Sequence, residues 1–88
     1  MQIKTTASLY GISQFHSPKT DRDYTTASLI IDGAAAAHFV GDKDKKTIMD
    51  SPAVARFYEN KRMPTQVTAV FDLVFTDTGV RVNLKALE

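Results

Sequence analysis

Few side chains in these 88 residues could do chemistry, and their spacing excludes most kinds. His16 and His38 stand far apart, and neither belongs to an H-x-H, H-x-x-x-H or H-E-x-x-H pattern that would hold a metal. Gly11, Gly33, Gly41 and Gly79 each stand alone, so no glycine-rich phosphate loop exists. No serine or threonine sits in a recognised nucleophile signature. Asp42, Asp44 and Asp50 are interleaved with lysines and do not follow a calcium-loop order. There is no cysteine, hence no thiolate site and no disulfide framework. The reading is a protein that is not an enzyme and needs no metal or cofactor. His38 reads as a half-buried strand residue, and His16 as a surface residue bordering a loop.

What remains is a set of aromatic and basic residues on polar faces. Tyr10 shares a face with Lys4, Thr6 and Ser8. Tyr24 stands beside Arg22 at the base of the 17–23 loop, whose tip carries Lys19. Arg81 and Lys85 project from the outward face of the last strand. Exposed rings with cations nearby suit a single-stranded nucleic acid, whose unpaired bases stack at ~1–3 kcal/mol each while cations follow the phosphates. The plain alternative is that strand propensity favours tyrosine and that scattered lysines keep the surface soluble. Net charge is only +1, eleven basic residues against ten acidic, which is weak attraction for a polyanion.

Composition bounds the rest. A chain of this length is one domain, residues 1–88, and is marginal in stability unless well packed or dimeric. Hydrophobic residues at 43% and charged ones at 24% describe a globular chain rather than a disordered one. The start lacks a signal-peptide stretch, and no run approaches a membrane span, so the expectation is a cytoplasmic protein without a membrane partner.

The elements that must position these residues follow from periodicity. Residues 3–16 read as a first strand, closed by Pro18. Residues 24–32 give a second, with Ala27, Leu29 and Ile31 on one face and Tyr24, Thr26, Ser28 and Ile30 on the other. Asp32-Gly33 is a tight hairpin signal. Ala34 to Val40 reads as a third strand, although its alanines also suit a helix. Residues 41–46 read as a turn and a solvated charge run. Ser51-Pro52 marks a helix start, Val54, Phe57 and Tyr58 form its apolar stripe, and Lys61 and Arg62 occupy its last turn before Pro64. Residues 67–76 and 80–87 alternate strictly and predict a hairpin about Thr78-Gly79. In that register Phe75 faces Val82, Leu73 faces Leu84, Asp72 faces Lys85 and Thr76 faces Arg81. Phe39, Phe57, Phe71 and Phe75 are assigned to the core, with Tyr58 on the buried stripe, while Phe15 suits either the stacking reading or the plain strand-propensity one.

Three strands, one helix and a hairpin are the element order of a mainly β, five-stranded OB-like Greek-key barrel with one helix between strands 3 and 4. An α+β roll or an SH3-like barrel shares much of this pattern. The chain also resembles the small single-stranded-DNA-binding, helix-destabilising proteins of filamentous phages. The resemblance rests on its size, the start "MQIKTTASL", the loop and strand "KTDRDYTTASLIID" and the ending "TGVRVNLKALE". Where that family carries Gly-x-Pro before the loop tyrosine, this chain has Asp21-Arg22-Asp23. The resemblance implies an OB-fold homodimer that coats single-stranded DNA during phage replication, in the host cytoplasm. It implicates Lys19, Arg22 and Tyr24, and more weakly Arg81. RNA is the chemically equivalent partner. A homodimer is expected on physical grounds too, because a small β-rich domain leaves edge strands that symmetric pairing covers. A second reading, from a different class, is a small phage- or mobile-element-encoded module that binds and inhibits a host protein.

Overall fold

The longest element sets the geometry. In the computed structural model, which describes residues 1–88, strand β1 (Gln2–Ser17) runs for 16 residues and has two partners. From Gln2 to Leu9 it is antiparallel to β4 (Thr65–Thr76), and from Ser8 to Ser17 to β2 (Arg22–Ile31). The handover contains a register shift between Leu9 and Gly11, with Tyr10 as the extra residue. Such a bulge bends and coils a strand, which lets one β1 serve two edges.

Strands β3 (Ala34–Val40) and β5 (Gly79–Leu87) complete a closed barrel in the order β1-β2-β3-β5-β4. The protein is mainly β and OB-like, as its element order predicts. Every pairing is antiparallel except β3 with β5, which is parallel and consists of the single pair Val40↔Leu84. The alanine run is a strand because the preceding turn commits it. Asp32 and Gly33 take φ of 50° and 80°, the two left-handed residues of a tight hairpin turn, so Ile31 meets Ala34 and the register runs to Thr25↔Val40.

Between β3 and β4 lie two short helices rather than one. The expected helix is α2 (Pro52–Glu59), and Ser51 caps it by accepting a hydrogen bond from the Val54 amide at 3.3 Å. It ends at Glu59, before the expected last turn: Lys61 and Arg62 have φ of 56° and 60° and turn the chain toward β4. Tyr58 is 45% exposed rather than buried, since one step of ~100° carries it off the stripe of Val54 and Phe57. Its ring meets Arg62 instead, with the guanidinium carbon 5.6 Å from the ring centre. The supposed solvated run forms α1 (Asp42–Met49). Asp42 and Asp44 in its first turn favour the positive end of the helix dipole, and Ile48 anchors it in the core. Helix α1 lies against β5 and α2 against β4.

The core holds Leu9, Leu29, Ile48, Val54, Phe57 and Leu84 as its largest fully buried side chains. Phe71 joins them, and the small Ala7, Ala27, Ala53 and Ala69 let the layers approach. His38 faces inward opposite Ala27, its ring 5.2 Å from that of Phe71. Burial of this imidazole lowers its pKa, because desolvation penalises the charged form.

Two phenylalanines assigned to the core are outside it. Phe39 is 65% exposed, because its pairing with Thr26 puts it on the outer face. Phe75 is 66% exposed, because the β4–β5 hairpin continues its alternation beyond the end of the barrel. That hairpin also turns earlier than expected. Asp77-Thr78 is the two-residue loop, so Phe75 faces Val80, Leu73 faces Val82, Asp72 faces Asn83 and Val74 faces Arg81. The Thr76 hydroxyl donates to the Gly79 carbonyl at 3.0 Å and lies 3.3 Å from the Thr78 hydroxyl, closing the loop at this point. The two-residue shift keeps Leu73, Phe75, Val80, Val82 and Leu84 on their expected face, but a one-residue register shift between Val70 and Phe71 exchanges the faces beyond it, so Leu87 rather than Ala86 enters the core.

Two outcomes are expected. Phe71→Ala should cost about 3–5 kcal/mol in denaturant unfolding, because it opens a cavity. Phe75→Ala should cost under about 1 kcal/mol at protein concentrations low enough to keep the chain monomeric, and comparable losses there would contradict the placement. The second concerns His38. Its lowered native pKa means the unfolded chain binds the proton more readily, so stability is full above the unfolded value near 6.5 and falls as pH drops below it. Between pH 7 and 5 the melting temperature should fall more steeply for the wild type than for His38→Gln, and equal slopes would remove the effect.

Candidate nucleic-acid interface

The bulge at Tyr10 reverses which residues of β1 face inward. Before it the odd residues Ala7 and Leu9 are buried; after it Ile12 lies opposite the buried Ala27. Phe15 is therefore outward and sits directly across from Tyr24. Phe39, opposite Thr26, falls on the same outer face of the next strand. Three rings from three strands thus form one outer cluster, with Phe15 and Phe39 exposed and Tyr24 half-buried between them. Phe15 and Tyr24 are stacked at 5.5 Å between ring centres with 28° between planes. Tyr24 and Phe39 meet edge-on at 6.0 Å and 71°.

Polar groups frame the rings. The Tyr24 hydroxyl is 3.1 Å from the Thr20 hydroxyl, which ties the ring to the turn that follows β1. Gln14, Phe15, His16, Asp23, Tyr24, Thr25 and Lys45 line a cleft beside the first ring pair. A second cleft runs beside Phe39 between Lys43, Asp44 and Lys85. His16 lies between two carboxylates, its Nδ1 2.8 Å from Asp23 and its Nε2 3.2 Å from Asp21. Asp21 takes φ 52°, a conformation that aspartate tolerates better than most side chains.

The structure brings together only part of the residue set expected to bind nucleic acid. Tyr24 is in the cluster and Lys19 is exposed on the adjoining turn. Arg22 is beside it but donates to Asp42 at 3.1 Å. Lys85 reaches the cleft at Phe39 but donates to Asp44 at 3.4 Å. Lys4 lies on the half of β1 paired with β4, where it meets Glu88 at 3.1 Å. Tyr10 is exposed at the bulge, and Arg81 lies on the outer face of the protruding hairpin opposite Val74. Helix α1 supplies cations the sequence reading passed over, Lys43 and Lys45. Phe39 was also legible: a two-residue Asp32-Gly33 turn pairs Ile31 with Ala34, and counting outward pairs Phe39 with Thr26, on the face of Tyr24.

No group of three or more histidine, cysteine, aspartate or glutamate side chains is placed to hold a metal ion. No helix is long and apolar enough to cross a membrane. Compared with known proteins, the chain matches no family model, no curated protein and no solved structure.

Proposed function

We propose that the protein binds single-stranded nucleic acid, DNA or RNA, largely without regard to sequence. The observation that carries this reading is the cluster of the exposed Phe15 and Phe39 about the half-buried Tyr24 on the outer face of three adjacent strands. Exposed aromatic faces offer a surface on which unpaired bases stack, and every base has a face to offer in return. An OB-like barrel presents such a platform on its second and third strands. Lys19, Lys43 and Lys45 border the rings and would follow the phosphates.

The electrostatic share is small by construction. Arg22 and Lys85 are each held by an aspartate of α1, and net charge is +1. Stacking therefore carries most of the affinity. Three free lysines and a coefficient of about −0.7 per contact for single strands give a log–log salt slope near −2.

Fluorescence titration of an oligo-dT tests this. Tyr24→Ala and Phe39→Ala should each lose about 1–3 kcal/mol with little change in salt slope. Lys45→Ala should flatten the slope by roughly one phosphate contact. Asp42→Asn should free Arg22, tightening binding and steepening the slope by roughly one contact. Folded ring variants that bind as well as the wild type would remove the proposal's basis. The competing host-protein module predicts no oligo-dT binding at any salt concentration.

A further inference from the structure

The inward face of the β4–β5 hairpin runs past the end of the barrel without changing character. Inside the barrel it carries Phe71 and Leu84, both buried. Beyond it Leu73 faces Val82 and Phe75 faces Val80. Phe75 is 66% exposed and Val80 and Val82 are each 53% exposed. Ile3, opposite Phe71 on β1, is 41% exposed and extends the same patch. No charged side chain of the two strands lies on this face, since alternation sends Asp72 and Arg81 to the other side.

We infer that this face is a self-association surface, on which a second copy of the chain packs the same hairpin face about a two-fold axis. The expectation of a homodimer from edge strands thereby acquires a location, and it is a sheet face rather than an edge. The inference stands apart from the nucleic-acid reading. A nucleic acid is the wrong occupant, because the one cation beside the face, the Met1 ammonium, already meets Asp72 at 3.3 Å.

The area favours a second copy. A fully exposed Phe presents roughly 150–250 Å², so the exposed fractions of Phe75, Val80, Val82, Ile3 and Leu73 amount to roughly 400 Å². That is within the range of the largest patch on an ordinary monomer, about 300–600 Å², where such patches are often functional. Two identical faces joined would bury roughly 800 Å² of apolar surface. Homodimer interfaces are about 65% apolar, which implies a total near 1,200 Å², the lower bound for a stable specific interface. An isologous contact covers both patches at once, and an uncharged face brings no like-charge repulsion when it meets itself.

Sedimentation velocity at about 50 µM protein, without nucleic acid, tests this, because association follows mass action. The wild type should sediment at twice the chain mass of 9.7 kDa. Val82→Lys and Phe75→Lys should each sediment at 9.7 kDa with an unchanged far-ultraviolet circular dichroism spectrum. Arg81→Glu, on the opposite face, should stay dimeric. A wild type at the monomer mass overturns the inference, as does a dimer that survives both lysine substitutions. If both variants unfold, the face belongs to the monomer's own core and the inference also fails. Oligo-dT binding measured on the same samples reports separately on the aromatic cluster.

Discussion

The structure depends on the coil of β1. One strand of 16 residues holds β4 with its first half and β2 with its second, and the barrel closes only because the strand bends between them. The extra residue at Tyr10 supplies that bend and also exchanges the two faces of the strand. Ala7 and Leu9 enter the core from odd positions, while Ile12 packs against it from an even one. Without the exchange Phe15 would point to the inner side, away from Tyr24. A device of barrel closure thus also sets the outer aromatic cluster.

Opposite β1, closure is slight. Strands β3 and β5 share one ladder pair, Val40 with Leu84. Helices α1 and α2 complete the seal from below, inserting Ile48 and the trio Ala53, Val54 and Phe57. Ser51 joins them: its hydroxyl donates to the Ile48 carbonyl at 2.6 Å and accepts from the Val54 amide at 3.3 Å. One buried side chain thereby satisfies the end of one helix and the start of the next. The first turn of α1 stands beside the outer sheet as a consequence, which is why Asp42 can reach Arg22 and Asp44 can reach Lys85.

Much of this was legible in the residues, and the exceptions have physical causes. Alternation marked β2, β4 and β5, Asp32-Gly33 marked a turn, and Ser51-Pro52 marked a helix start. Periodicity reports a strand's faces but not where its partner ends. Phe75 alternates as faithfully as Phe71, yet only Phe71 has a core to enter. Helix α1 was hidden because a single anchor, Ile48, follows a run of charges. The bulge at Tyr10 was hidden because it breaks the period inside a segment read as one strand. Of the proposed contacts, Tyr24 lies in the cluster and Lys19 borders it, whereas Arg22 and Lys85 have acidic partners no local pattern announces.

The two apolar regions differ in chemistry, which is why different partners are proposed for them. The outer cluster is aromatic, with lysines on its border and hydroxyls among its neighbours, so it combines π-faces with polar and ionic contacts. The hairpin face is aliphatic apart from Phe75 and carries no charge between Ile3 and Leu84. A strand of nucleic acid needs both stacking and neutralisation, and only the first surface offers both. A flat aliphatic sheet face gains most from exclusion of water by another of its kind. The two lie on opposite sides of their sheets, the rings outward on β1–β3 and the aliphatic residues on the inward face of β4 and β5. The two surfaces share no residue, so neither proposed contact uses a side chain of the other.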